Sequence, residues 1–173
     1  MQLINLQWHE ELEIIEERFA NAGWYVIPEL DFNQFMQHLI KSNNKKIPIL
    51  QERNAGRRPA LVALRHYSSE EPQLVVVRLY RSNIELIGND TPLWLGTVDY
   101  QMPHRHKFWH HKKHQQAQKG FTPAIHQVIP LIKNIKWQLL YYPIDLQPKK
   151  LKDDQQWDGG VLFIDGNPAK TSN

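Results

Sequence analysis

The sequence predicts an α+β domain, with a mainly antiparallel sheet of about five or six strands and two or three helices packed on one side. Three segments between 60 and 100 are rich in β-branched and aromatic residues and are separated by short polar turns, which is typical of antiparallel hairpins. Segments outside this block instead carry apolar residues at helical spacing. The 173 residues fit one domain, since a domain usually has roughly 100–200 residues.

The first predicted helix begins near Trp8 and ends before Gly23. Apolar residues recur every three or four positions along it, so that one face is apolar and the intervening glutamates lie on the solvated side. These apolar residues are Trp8, Leu12, Ile15, Phe19 and Ala22. A short strand is expected at 24–27, and Asp31 is a suitable N-cap for a second helix at 32–40.

Five further strands complete the predicted sheet, with polar or glycine-containing breaks near their ends. They are expected at 60–67, 73–81, 93–100, 136–142 and 161–164. Thr122 and Pro123 begin another helix, which Pro130 kinks or ends because proline lacks an amide hydrogen. We expect a single domain over 1–165 and a flexible tail over 166–173.

The composition excludes several classes of chemistry. Because the chain has no cysteine, it cannot form disulfides, zinc–thiolate sites or a thiol nucleophile. No apolar run approaches the ~20 residues that span a bilayer. The N-terminus lacks the charged and apolar regions of a signal peptide. We therefore expect a soluble domain without a membrane-spanning segment of its own.

Several short segments, taken in order, are familiar. They are Ile47–Leu50, Gly56–Pro59, Val77–Tyr80, Pro92–Gly96 and the pair Asp158–Gly159. In this order and spacing they resemble the LssY C-terminal domain family, over roughly 23–164 and most strongly over 47–100. The family usually has tryptophan where this chain has Tyr80. It often has a histidine-containing segment followed by acidic residues after Gly96, where this chain is basic and histidine-rich.

The resemblance implies a soluble module appended to bacterial membrane proteins of the type-2 phosphatidic acid phosphatase or DedA kinds. It implies no established activity for the domain itself. The expected partner is the membrane-embedded domain of the parent protein or an anionic lipid surface. The domain is therefore expected to be membrane-associated through a parent protein or partner, and the cytoplasmic side of the membrane is favoured.

The most unusual segment runs from His104 to Lys119 and is called the basic tract below. It has five lysine or arginine residues, five histidines and no acidic residue. Lysine and arginine attract phosphate groups, histidine gains charge below pH ~6.5, and tryptophan suits a lipid interface. The candidate anion- or lipid-binding residues in the tract are Arg105, Lys107, Trp109, Lys112 and Lys113. Nucleic acid is an unlikely partner, because the net charge of +3 is small and no nucleic-acid motif is present.

A metal-binding module is an alternative interpretation of the same tract. If the tract is helical, His106, His110 and His114 lie along one face, and neutral imidazoles at that spacing can bind zinc, nickel or copper. Lysine and arginine side chains within the tract repel a divalent cation, and no carboxylate lies nearby in sequence. We therefore expect no resident cofactor and rank this interpretation below lipid contact.

Two arginines on predicted strands are further candidates for binding an anion. Arg65 and Arg78 can meet on one face of the sheet beside Asp99. Since a buried arginine needs a carboxylate, a structural ion pair is the default prediction. A site for a small anionic ligand is the alternative.

Catalytic motifs are missing from the sequence. It contains no Gly-x-Ser-x-Gly elbow, no His-Glu-x-x-His pair, no phosphate-binding loop and no pattern of the type-2 phosphatidic acid phosphatases. The sequence therefore favours a non-catalytic accessory or regulatory domain. The alternative is a small hydrolase acting on phosphorylated or lipid-like substrates, which requires Arg65, Arg78 and His66 to converge in a pocket.

Overall fold

The structure is a computed structural model that describes residues 4–28, 58–66, 74–84, 91–101, 121–143 and 158–168. The described strands are β1 (Leu6–His9), β2 (Tyr25–Pro28), β3 (Leu61–His66), β4 (Leu74–Arg81), β5 (Leu93–Gln101), β6 (Ile135–Tyr141) and β7 (Gly160–Pro168). The described helices are α1 (Leu12–Asn21), α2 (Phe121–Ile125) and a 3-10 helix (Ile129–Ile132). The strands form one sheet in the order β2-β3-β4-β5-β1-β7-β6.

The predicted α+β class is wrong, because the described chain is mostly β. The described sheet has seven strands rather than five or six, and it is mixed, since β1 and β7 run parallel while the other neighbours are antiparallel. Only two short α-helices and one 3-10 helix accompany it within the described residues. The helix predicted at 32–40 lies outside those residues.

The seventh strand is β1, part of which the spacing of apolar residues assigned to the first predicted helix. Trp8 is four residues before Leu12 and so fits a helical face, but it is also two residues after Leu6 and so fits a strand. Leu6 and Trp8 are both fully buried in the middle of the sheet, between β5 and β7. Tertiary packing therefore decides between two local patterns that the sequence satisfies equally.

The described helical segments lie on the face of the sheet that carries the main hydrophobic core. Ile15 and Phe19 of α1 pack into this core, as do residues of α2 and the segment that follows it. These residues are Ala124, Ile125, Val128 and Ile132. The prediction that Pro130 interrupts the helix is confirmed, because α2 ends at Ile125 and a 3-10 helix with Pro130 near its start follows.

The opposite face carries a smaller apolar cluster on β2, β3 and β4. Its members are Ile27, Val62, Leu64, Leu74 and Val76. Because β4 is buried on both faces, its sequence is a continuous apolar run, Leu74–Val77, instead of an alternation. At the other end of the described chain, β7 continues to Pro168, three residues into the segment expected to be a tail.

Asn5 and Gly96 set the position of β1 in the sheet. The Asn5 side chain accepts a hydrogen bond from the Val98 amide (2.7 Å) and donates one to the Val98 carbonyl (2.9 Å). Its backbone carbonyl accepts from the Leu162 amide of β7. Gly96 lies opposite Leu6, and a Cβ atom there would approach the Arg78 carbonyl to 2.8 Å and the Leu6 Cδ2 atom to 3.1 Å. Glycine at 96 is therefore a condition for close packing around β1.

We predict that Gly96→Ala destabilises the domain by about 1–3 kcal/mol, because the added methyl group overpacks the core. The gain of about 0.4–1 kcal/mol from a stiffer unfolded chain does not offset this clash. The urea midpoint measures the change.

Gly23→Asn is the matched control for Gly96→Ala. A Cβ at position 23 meets no atom within 4 Å, and asparagine tolerates the positive φ of 75° found there. Equal midpoints for the Gly96→Ala variant and the unsubstituted protein would contradict the packing argument.

Candidate functional site

The strands bring different groups to the two ends of the sheet. At one end, called the His9 end, β1 finishes at His9, β5 begins at Leu93 and β7 passes Asp165. At the other, called the Gln101 end, β5 finishes at Gln101 and β6 at Tyr141.

A buried carboxylate, that of Glu10, lies at the His9 end. It accepts hydrogen bonds from the Trp8 indole (3.0 Å) and from the Arg18 guanidinium, whose Nε and Nη2 atoms lie 2.9 and 2.6 Å from its oxygens. The Glu10 backbone carbonyl accepts from the Trp94 indole (2.9 Å). Glu10 is only 5% exposed. Because both carboxylate oxygens are taken by protein donors, the group fastens α1 to β1 instead of facing a ligand.

His9 and Asp165 form the second polar pair at this end. The His9 Nε2 atom lies 3.0 Å from the Thr91 carbonyl oxygen, and since a carbonyl only accepts, this nitrogen donates. The His9 Nδ1 atom lies 3.8 Å from an Asp165 carboxylate oxygen, which also accepts from the Asn167 backbone and side chain. His9 therefore links β1 to β7 and to Thr91, two residues before β5.

Arg78 lies in the middle of the face that carries the smaller apolar cluster. It is 1% exposed, and its Nη1 atom donates to the Asp99 carboxylate at 3.1 Å. Its Nε atom is buried without a hydrogen-bond partner. The predicted structural ion pair is thus present. A role for Arg78 in binding an anion stays a prediction, and the burial of its guanidinium keeps it away from any surface ligand.

Arg65 and Arg78 do not meet, so the prediction that they share a face is wrong. Arg65 lies opposite Val75 on the face of the main core, whereas Arg78 lies opposite Val62 on the other face. The Arg65 guanidinium instead lies over the Trp24 ring, 5.6 Å from its centroid, in a cation–π contact. An anion-binding role for Arg65 likewise stays a prediction.

The convergence that the hydrolase alternative requires is absent among these three residues. His66 is exposed at the Gln101 end of β3, while Arg78 is buried in an ion pair and Arg65 faces the other way. Within the part of the chain that the structure describes, no three histidine, aspartate or glutamate residues could hold a metal ion together.

All of the candidate residues in the basic tract lie outside the described residues. They are Arg105, Lys107, Trp109, Lys112 and Lys113 for anions or lipid, and His106, His110 and His114 for a metal. The two elements that flank the tract are described: β5 ends at Gln101, and α2 begins at Phe121. Both belong to the main core, through Val98 and Tyr100 on one side and Ala124 and Ile125 on the other. The elements on either side of the tract are therefore both part of the core.

Exposed apolar side chains lie on β6 and the residue that follows it. Trp137 (41% exposed), Leu140, Tyr141 (58%) and Tyr142 are all exposed. Trp137 and Tyr141 lie on the face of the main core and Leu140 on the other face, because side chains alternate along a strand. Leu140, Tyr141 and Tyr142 are not among the candidates that the sequence predicts. The sequence feature that could have identified them is the absence of charged residues over 137–142, on a predicted strand. Glu10 was missed for a different reason, since nothing in the sequence separates it from the neighbouring solvated glutamates.

Comparison with known proteins gives one finding. A family model described as the LssY C-terminus matches residues 1–127, which include β1 to β5, α1 and α2. No curated protein and no solved structure gives a significant match. No helix among the described residues is long and apolar enough to cross a membrane.

We predict that Glu10→Ala destabilises the domain by about 3 kcal/mol, because it leaves the buried Trp8 indole and the Arg18 guanidinium without their acceptor. Equilibrium urea unfolding measures the loss. Glu17→Ala, on the exposed face of the same helix, is the control and is expected to change stability by less than about 0.5 kcal/mol. Similar effects from the two substitutions would contradict the proposed role of Glu10.

Glu16 gives a prediction that depends on pH. Partial burial, and then the nearby Glu13 carboxylate, raise the pKa of Glu16 above its ordinary value of 4.5. The folded state therefore disfavours the charged form, and this penalty is present above the folded pKa and absent below the unfolded pKa. Glu16→Gln is expected to raise the thermal midpoint at pH 7, and the gain should disappear below pH 4.5. A gain that is independent of pH would contradict this origin.

Proposed function

The chain belongs to the LssY C-terminus family, and from this premise we propose that it is a non-catalytic accessory or regulatory domain of a bacterial membrane protein. We further propose that its basic tract contacts anionic lipid headgroups. The partner in this proposal is the anionic surface of the membrane, beside the membrane-embedded domain of the parent protein.

The charge of the basic tract carries the proposal. Five lysine or arginine residues and five histidines fall within 104–119, and no acidic residue offsets them, although the whole chain has a net charge of only +3. A lysine or arginine beside an anionic membrane contributes about 1 kcal/mol, so five together contribute several kcal/mol. Such an attraction acts over roughly one Debye length, about 8 Å at physiological ionic strength, and therefore requires the tract to lie at the lipid surface.

The flanks of the tract support the same proposal. β5 and α2, which precede and follow the tract, are both packed into the core. The proposed contact segment therefore begins close to the end of β5, at Gln101.

Flotation with phosphatidylcholine vesicles, with and without phosphatidylglycerol, tests the proposal. The unsubstituted protein is expected to bind the anionic vesicles. A variant with Arg105, Lys107, Lys112 and Lys113 changed to glutamine is expected to bind at least about a hundredfold more weakly, since about 1 kcal/mol is lost for each charge. Binding should also strengthen as the pH falls from about 7.5 to about 5.5, because the histidines of the tract become charged.

The matched control removes the same number of positive charges elsewhere. Arg58, Arg81, Lys133 and Lys136 are exposed at or near the His9 end of the sheet, and changing them to glutamine is expected to leave most of the binding intact. Equal binding of the unsubstituted protein to neutral and anionic vesicles would overturn the proposed headgroup contact. Binding that requires added zinc and is abolished by a chelator would favour the metal-binding alternative at His106, His110 and His114.

A further inference from the structure

We infer that the outer edge of β6 pairs with the same edge of a second copy of this chain. The two β6 strands run antiparallel and are related by a two-fold axis at Leu139. The contact is made by backbone groups along the strand edge, so it continues the sheet from one molecule into the next. The inference goes beyond the proposed function and depends neither on lipid nor on the basic tract.

The first argument is the difference between the two edge strands of the described sheet, β2 and β6. An edge strand presents unpaired N–H and C=O groups, which proteins protect with short strands, proline or charged side chains. β2 has only four residues and ends in Pro28. β6 has seven residues, and no charged residue occurs in 137–142. Of the two described edges, the edge of β6 is therefore the one that can accept another strand.

The second argument is the direction of the backbone groups of β6. The Tyr142 amide donates to the Gly159 carbonyl at 2.9 Å, so the backbone of Tyr142 is directed toward β7. Backbone direction alternates along an antiparallel strand, and the irregularity in the β6–β7 pairing lies before this run, between Ile135 and Lys136. Three residues of β6 therefore direct their N–H and C=O groups away from β7. They are Trp137, Leu139 and Tyr141.

The third argument is the exposure of the β6 side chains on both faces of the sheet. Trp137 and Tyr141 are exposed on the face of the main core, and Leu140 is exposed on the other face. A strand that pairs with the edge lies beside the side chains of both faces, so it does not require them to form one patch. Exposure of this kind leaves room for a paired strand along β6.

The fourth argument is that the edge is complementary to itself, which selects a second copy as the partner. Antiparallel pairing about Leu139 places Trp137 opposite the partner's Tyr141, and Tyr141 opposite the partner's Trp137. All three outward-directed residues then form hydrogen-bonded pairs across the contact. Aromatic side chains directly opposite each other stabilise paired strands, and no two like charges are opposed in this register. A two-fold contact of this kind closes on itself and gives a dimer.

Sedimentation equilibrium tests the inference, and the unsubstituted protein is expected to show a reversible monomer–dimer equilibrium. The variant Trp137→Lys, Tyr141→Lys opposes two lysines at two places in the dimer and is expected to weaken association at least about tenfold. The variant Trp137→Lys, Tyr141→Glu instead places each lysine opposite a glutamate of the partner. This second variant is expected to recover the dimer, most strongly at low salt, where charges are least screened.

Tyr141→Pro tests the backbone contact separately. Proline is tolerated on an edge strand where the N–H it removes is directed away from the sheet, so the variant is expected to stay folded by circular dichroism and to lose most of the dimer. The matched control for the charge variants is Ile14→Lys, Ile84→Lys. It changes two exposed hydrophobic residues on other elements to lysine and is expected to leave the dimer unchanged.

Three results would overturn the inference. The first is a monomer at every concentration measured. The second is a dimer that survives undiminished in a folded Tyr141→Pro variant or in the variant with two lysines, which would place the contact on another surface. The third is equal weakening by the two charge variants, since recovery by the lysine–glutamate variant is specific to the register about Leu139.

Discussion

The carboxylate of Glu10 determines how the N-terminal part of the chain lies against the sheet. A buried carboxylate must be paired, and Glu10 satisfies this requirement with the Trp8 indole on β1 and the Arg18 guanidinium on α1. These bonds fix α1 over the core face of the strand that precedes it. Phe19 of α1 then packs between the rings of Trp8 and Trp24, and the chain enters β2 directly afterwards. One ion pair therefore orders a strand, a helix and the start of the next strand.

The segment Pro92–Gly96, which carries part of the family resemblance, now has a physical explanation. Its tryptophan, Trp94, donates to the backbone carbonyl of Glu10, and its glycine, Gly96, leaves room for Leu6 at the centre of the sheet. Both contacts help to hold β1 between β5 and β7. A motif that is mostly apolar in the sequence thus packs against the residues of β1 and the residue that follows it. This part of the family resemblance therefore concerns the packing of the sheet.

Local patterns were sufficient to predict β2 to β6 within one residue at either end. In those segments the apolar runs, the flanking turn residues and the content of β-branched residues all indicate a strand. They failed for β1, where helical and strand spacing coincide at Trp8. They also failed where strand register decides on which face of the sheet a side chain lies. Arg65 is an example, because its face depends on its pairing with Val75. Trp137 lies on the face of the main core but is exposed, because β6 lies at an edge of the described sheet. The donor groups around Glu10 could not be inferred, since Trp8, Arg18 and Trp94 come from three separate elements.

The parallel pairing of β1 with β7 has a consequence for how the domain folds. Leu6 lies beside Leu162, so β1 can complete its pairing only after β7 has been synthesised. Contacts of such long sequence separation require much loop entropy to be lost before they form, and they slow folding. During synthesis, β1 can pair with β5 while its other edge stays open for an extended interval. The two ends of the described chain are thus joined within the sheet, where β1 lies beside β7.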